Sequence, residues 1–220
     1  MLTLGCSPIL RVQVRDLLVC LVVIPLILVP FHSPGEMSAE TGHHFGNPTN
    51  GFWRALHGSV GLTTAENALH PSEDGTMPER FCLGLTNLVS RPTNQANELS
   101  MTEKRAGAAA VLSKAARHRP RIVCYVGNEI ADIMYEAVMK SHVVPRDAQS
   151  LTKPPPTRMA KRKGGPPRYG LEPYKIVHGN GKAVDQIRET LFFIMGSTSG
   201  RVANYKVSQV LRSGVVGLKA

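Results

Sequence analysis

The sequence predicts an α/β domain, a three-layer α/β/α sandwich built on a mostly parallel sheet of about four strands. Three observations predict it. Short apolar runs alternate with helical stretches about four times along the chain. The runs are apolar at consecutive positions, as strands buried on both faces are. Each run ends in loop-forming residues, which places candidate ligand-binding loops beyond the strands' carboxyl ends.

The first apolar run covers residues 17–31, with Pro25 and Pro30 inside it. It is shorter than the ~20 residues a membrane helix needs. Arg11 and Arg15 precede it, so a signal peptide is one alternative. A buried strand is another, but the run is long for a strand and Pro25 should end it. Asp16–Cys20 looks like a strand.

The next stretch, Gly42-His43-His44-Phe45-Gly46-Asn47-Pro48-Thr49-Asn50-Gly51-Phe52-Trp53, gathers imidazoles, amides and three aromatics, including the only tryptophan. Gly and Pro make its first half a loop. Phe52–His57 then reads as a helix with Asn50 as a candidate N-cap. Trp53 and Leu56 share a helical face and read as core. Residues 63–80 are polar and loop-like, and Phe81–Val89 reads as a buried strand. Ser100-Met101-Thr102-Glu103 is a capping box that opens a helix through Ala116, ending at Arg117-His118-Arg119-Pro120. Arg121–Gly127 is a strand, Asn128–Met139 a helix, Leu191–Met195 a strand and Val202–Leu211 the last helix.

Between Leu151 and Gly170 stand six basic residues, five prolines and no acidic residue, which suits a basic loop and not a core. Solvated insertion and phosphate-contacting arm are both open readings of it. The net charge of +10 favours an acidic partner such as nucleic acid or an anionic surface. Four widely spaced cysteines argue against a disulfide framework or a zinc site. The loops His32–Asn50, Ser90–Thr93 and Gly196–Arg201 should converge at one sheet edge. They would bring an aromatic ring, amides, hydroxyls and an arginine, without an Asp/Glu pair, a metal cluster or a phosphate-cradling Gly-rich loop.

Three ordered blocks carry a family resemblance. They are Ser33-Pro34-Gly35 through Gly42-His43-His44-Phe45 to Trp53; Gly84-Leu85-Thr86-Asn87-Leu88-Val89-Ser90-Arg91-Pro92-Thr93 with Glu98-Leu99-Ser100; and Met195-Gly196-Ser197-Thr198-Ser199-Gly200-Arg201. They resemble the mismatch-specific uracil/thymine DNA glycosylases, a branch of the uracil-DNA glycosylase superfamily. The resemblance implies that a base is flipped from the stack into a pocket before its glycosidic bond is reached. Phe45 matches the stacking position. His44, Asn87 and Thr93 would help to line the base pocket. Ser197, Thr198 and Ser199 match the phosphate-contacting loop, and Arg201 the wedge that fills the gap in the duplex. Lys161, Arg162 and Lys163 would add non-specific affinity. Water is the nucleophile, so no cofactor is implied.

Two departures stand out. Ser33 occupies the place of the asparagine that positions the attacking water in that family, and Gly196 stands where proline is usual. A serine hydroxyl can hold a water, with a shorter reach and a different donor–acceptor pattern. The resemblance alone also implies that Asp16–Cys20 is the first strand, with Leu21–Phe31 an insertion or a gene-model error. The expected organisation is an extension at 1–31, a glycosylase-like domain at 32–213 with a basic insertion at 145–170, and a tail at 214–220. The function implied is a monofunctional glycosylase acting on uracil, and on thymine as a further substrate, mispaired with guanine. A catalytically weakened DNA-binding member of the same family is the alternative, and a secreted or anchored protein the third. The implied partner is double-stranded DNA bearing a mismatched base. The chain is expected to be a monomer, nuclear and not stably associated with membrane.

Overall fold

The computed structural model describes residues 26–29, 33–58, 63, 65–140, 150–151, 169–179 and 187–200. Among the described residues six strands form one mixed sheet: β1 (Leu26–Val29), β2 (Leu83–Leu85), β3 (Ile122–Val126), β4 (Ser150–Leu151), β5 (Gly170–Val177) and β6 (Glu189–Met195). Their spatial order is β2-β1-β3-β6-β5-β4. β1 pairs in parallel with both β2 and β3, and β3 pairs in parallel with β6. β5 runs antiparallel to β6, and β4 antiparallel to β5. The class is α/β, as the sequence predicts, with an antiparallel margin added to the four parallel strands.

β5 escaped the sequence reading because Pro173 interrupts it, and proline cannot donate to a ladder. The chain accommodates Pro173 with a register shift between Leu171 and Lys175. Around it the alternation is plain, since Glu172, Tyr174, Ile176 and His178 are all buried. The first strand also differs from expectation. Leu26–Val29 lies inside the stretch read as an insertion, and it forms an interior strand of the sheet. Pro25 immediately precedes it, where proline marks a strand's start. Asp16–Cys20, the basic segment with Lys161, Arg162 and Lys163, Arg201 and the helix expected at Val202–Leu211 lie outside the described residues.

The α-helices among the described residues are α1 (Glu36–Thr41), α2 (Phe52–His57), α3 (Met77–Phe81), α4 (Met101–His118) and α5 (Asn128–Lys140). α1 occupies part of what the sequence suggested was all loop. Residues 71–81, also read as loop and strand, instead form a 3₁₀ turn (Pro71–Thr76) running into α3. The turn starts at a capping box, in which His70 accepts from Ser72 N and its own N–H donates to the Glu73 carboxylate. Proline at the first helical position fits, because that residue's N–H would have no helical partner.

α4 opens on the expected capping box. Ser100 Oγ accepts from Glu103 N at 3.2 Å, and the Glu103 carboxylate accepts from Ser100 N at 2.9 Å. Arg91 also donates to this carboxylate, at 2.8 Å from Nε. The Arg91 guanidinium and the Ser100 donors hold the Glu103 carboxyl down at about 2. The loop bearing Arg91 is thereby tied to the start of α4.

Alternate residues of β3 enter two cores, as strand pleating requires. Val123 and Tyr125 pack with Phe192, Ile194 and the apolar faces of α4 and α5. Cys124 packs on the other side with Phe52, Trp53, Leu56, Leu83 and Leu85. Trp53 is core, as expected, and burial pushes the Cys124 thiol up to about 12.

α4 crosses the loop after β2 at van der Waals contact. A Cβ built on Gly107 would stand 2.0 Å from the Leu88 carbonyl oxygen. Alanine inside a helix ordinarily stabilises by about 1 kcal/mol relative to glycine. Here the clash reverses the sign, and Gly107→Ala should cost about 1–3 kcal/mol by overpacking. A lower urea midpoint at unchanged slope is the expected result; a higher midpoint would refute the contact.

At the far end of the sheet from these loops, the Thr190 hydroxyl donates to Pro120 O, so the buried His178 must donate to Thr190 Oγ1 from Nε2, at 2.8 Å. Its Nδ1 is buried without a protein partner among the described residues. Burial, then the nearby Arg119, lower the His178 pKa below its ordinary 6.5. The folded chain therefore binds fewer protons than the unfolded chain in the window below 6.5. Stability from this group is complete above that value and is lost as pH falls through the folded pKa. Urea unfolding at pH 7.5 and pH 5 should show this loss, and His178→Gln should remove it.

Candidate active site

Parallel strands send their following loops to one edge, and there a cavity of about 320 Å³ opens. It draws Ser33, Pro34 and Gly35 from the loop after β1, then α1 and the loop through Asn50. Asn87 and Asn94 come from the chain after β2, and Ser199 and Gly200 from the chain after β6. The expected convergence of these loops is observed, although Arg201 is not among the described residues.

Phe45 supplies the aromatic wall. Its ring stacks on Phe52 with centroids 3.9 Å apart and planes 12° from parallel. Phe52 in turn meets Trp53 edge to face, so the stack is rooted in the core. Phe45 has φ 53°, a left-handed conformation that bulky residues rarely adopt. Two side chains brace its neighbours. Asp74 Oδ2 accepts from His44 N at 2.9 Å, and Ser38 Oγ accepts from Gly46 N at 3.0 Å.

His44 lines the cavity and is 6% exposed. Its Nδ1 donates to Asp74 Oδ2 at 2.9 Å, while its buried Nε2 has no partner among the described residues. His43 Nδ1 donates to the other oxygen of Asp74 at 3.1 Å. Burial raises the Asp74 pKa, but the hydrogen bonds from His44 and His43 outweigh it and leave the carboxyl below its ordinary value. Asp74 was invisible in the sequence because it lies in a stretch that reads as loop.

Ser33 is 4% exposed, and its hydroxyl is hydrogen-bonded to the Thr93 hydroxyl. Thr93 N also donates to Pro34 O at 3.0 Å. Thr93 thus backs Ser33 and does not line the cavity, which corrects its expected place in the pocket wall. A hydroxyl pair shares one of its two protons. Ser33 keeps either a proton to donate or a lone pair to offer, enough to hold one water. Asn87 lines the cavity as expected.

Of the last loop's described residues, Ser199 and Gly200 line the cavity. Ser197 Oγ accepts from Ser199 N at 3.4 Å, and Thr198 is buried, its carbonyl accepting from Gly51 N at 2.8 Å. The last loop therefore leans on the first. A Cβ on Gly200 would lie 2.7 Å from Thr49 O and 2.8 Å from its hydroxyl. Asn47 holds the other side of Thr49, its Oδ1 accepting from Thr49 N and Oγ1. Asn50 Oδ1 accepts from Phe52 N, but the N-cap of α2 is Gly51, one residue later than the cap the sequence suggests.

The sequence reading anticipated no acidic pair in the site. Glu36 and Glu40, one turn apart on α1, both line the cavity. Asn94 Nδ2 donates to Glu36 at 2.6 Å, bridging α1 to the second loop. Helical spacing would have paired the two glutamates had α1 been recognised. Among the described residues, no group of three His, Cys, Asp or Glu side chains could hold a metal ion. Among them too, no helix is long and apolar enough to cross a membrane. The site offers an aromatic face, amides, hydroxyls, an anchored imidazole and two carboxylates to a ligand.

A family model described as the uracil DNA glycosylase superfamily matches residues 32–212 of the chain.

Proposed function

The chain belongs to the uracil DNA glycosylase superfamily, and on that footing we propose that it is a monofunctional DNA glycosylase. It hydrolyses the N-glycosidic bond of uracil mispaired with guanine, with thymine in the same mismatch as the further substrate. The observation that carries this reading is Phe45, held left-handed against Phe52 in a cavity that also contains Ser33, His44, Asn87 and Ser199. A flat aromatic wall with polar groups around it suits a base that has left the duplex stack.

In this reading the flipped base stacks on Phe45 and meets the Asn87 amide along its edge. Ser33 holds the water whose oxygen adds to the sugar carbon as the bond to the base breaks; the electron pair leaves with the base, and the water's proton passes through solvent to the departing base. Ser197, Thr198, Ser199 and Arg201 engage the strand that carried it. Lys161, Arg162 and Lys163 would add salt-dependent attraction to phosphates without reading sequence. The protein acts as a monomer in the nucleus, at the first step of base excision repair.

One observation favours the alternative, a DNA-binding member with weakened chemistry. The Ser33 hydroxyl is partly committed to Thr93 and offers a water fewer contacts than an asparagine amide. A water displaced by about 1 Å can cost on the order of a hundredfold in rate.

The test is single-turnover release of uracil from a duplex with one G·U mismatch, read as alkali-labile strand breaks. The natural chain should release uracil. Ser33→Asn should raise the rate by about ten- to a hundredfold. Phe45→Ala should lower it by about ten- to a hundredfold, since stacking a base on an aromatic ring contributes roughly 1–3 kcal/mol. Salt-dependent DNA binding by both the natural chain and Ser33→Asn, with release by neither, would refute the glycosylase reading. Release by Ser33→Asn alone would identify the weakened member.

A further inference from the structure

Three hydrogen bonds from two successive residues converge on Asp74. His43 Nδ1 reaches one carboxylate oxygen, and His44 Nδ1 and His44 N reach the other. The Asp74 side chain is 10% exposed, so these bonds are sheltered from solvent. An ionised carboxylate only accepts, which requires both imidazoles to carry a hydrogen on Nδ1. The next residue is Phe45, in its left-handed conformation. Such a backbone costs about 1–3 kcal/mol and persists only where its surroundings over-determine it. Asp74 grips the residue before, Ser38 the residue after, and Phe52 the ring itself.

Asp74 is well placed to act as a fixed point. It belongs to the turn Pro71–Thr76, whose start is locked by the His70–Glu73 capping box. Arg80 of α3 donates to the Glu73 carboxylate at 2.9 Å, joining the turn to the helix that follows. Met77 of that helix is fully buried among Phe52, Trp53 and Leu83.

We propose that Asp74 is the positioning residue of the base pocket: it fixes His44 in the Nδ1–H tautomer and holds the His44–Phe45 turn so that the Phe45 ring stays stacked. The consequence for catalysis rests on the glycosylase reading; the tautomer and the ring geometry do not. Asp74 touches no substrate in this scheme and acts through the two residues it holds. His44 Nε2, buried and without a partner among the described residues, is the atom whose hydrogen the carboxylate controls.

Two variants of the full chain separate the roles. Asp74→Asn preserves shape but offers one acceptor oxygen and one amino group, so one of the two imidazoles must move its hydrogen to Nε2. Asp74→Ala removes the grip altogether and tests the turn. Each is read by ¹⁵N-resolved imidazole spectra, by the nuclear Overhauser contact between the Phe45 and Phe52 rings, by thermal unfolding, and by G·U duplex affinity beside the single-turnover rate. In the natural chain His43 and His44 should both be Nδ1–H. Asp74→Asn should change one tautomer and lower the single-turnover rate by about tenfold or more, with duplex affinity within about threefold. Asp74→Ala should also lose the ring–ring contact. Unchanged tautomers and rate in Asp74→Asn would overturn the proposal. So would a rate that falls only in proportion to the unfolded fraction. If the natural chain releases no uracil, the glycosylase reading fails by itself. The positioning role then stands on the spectra: Nδ1–H tautomers and the ring contact present in the natural chain and disturbed in Asp74→Asn uphold it, and their absence or persistence overturns it.

Discussion

The parallel pairing of β1 with strands on both of its sides is the constraint on which the rest depends. A strand so placed has no edge, and its neighbours can be reached only by crossing the sheet and returning. Every such return delivers the next loop to the same rim. Ser33, Asn87 and Ser199 are distant in the chain, yet the common direction of β1, β2 and β6 brings their loops to one cavity. The antiparallel strands β5 and β4 extend the sheet on the other side of β6 and contribute nothing to that cavity.

Much of this was legible in the residues. Apolar runs at consecutive positions gave away β2, β3 and β6, and the Ser100–Glu103 box marked the start of α4. The meeting of the loops that carry Ser33, Phe45 and Ser199 at one cavity was also legible, because loops after parallel strands are delivered to the same sheet edge. What was illegible depended on contacts between segments far apart. Asp74 lies 30 residues from His44 and sits in a polar stretch without a periodic signal. β5 was hidden by Pro173, whose cost the register shift absorbs. β1 was placed too early because its apolar run is longer than one strand, and pairing partners, not hydropathy, choose which residues are used. Thr93 was assigned to the pocket wall when its hydroxyl instead supports Ser33 from behind.

The site balances charge in an unexpected way. The chain carries a net charge of +10, yet the rim of its cavity holds Glu36 and Glu40. Two carboxylates in the lining repel an anion that approaches them and accept hydrogen bonds from donors.

The contact between Gly200 and Thr49 has a consequence for how this sequence can drift. The atom nearest a side chain at position 200 is a main-chain oxygen, which every residue at position 49 would carry. No compensating exchange at 49 can make room. Position 200 is closed to substitution by geometry alone, whatever chemistry its descendants adopt, and the first and last loops of the site must change shape together or not at all.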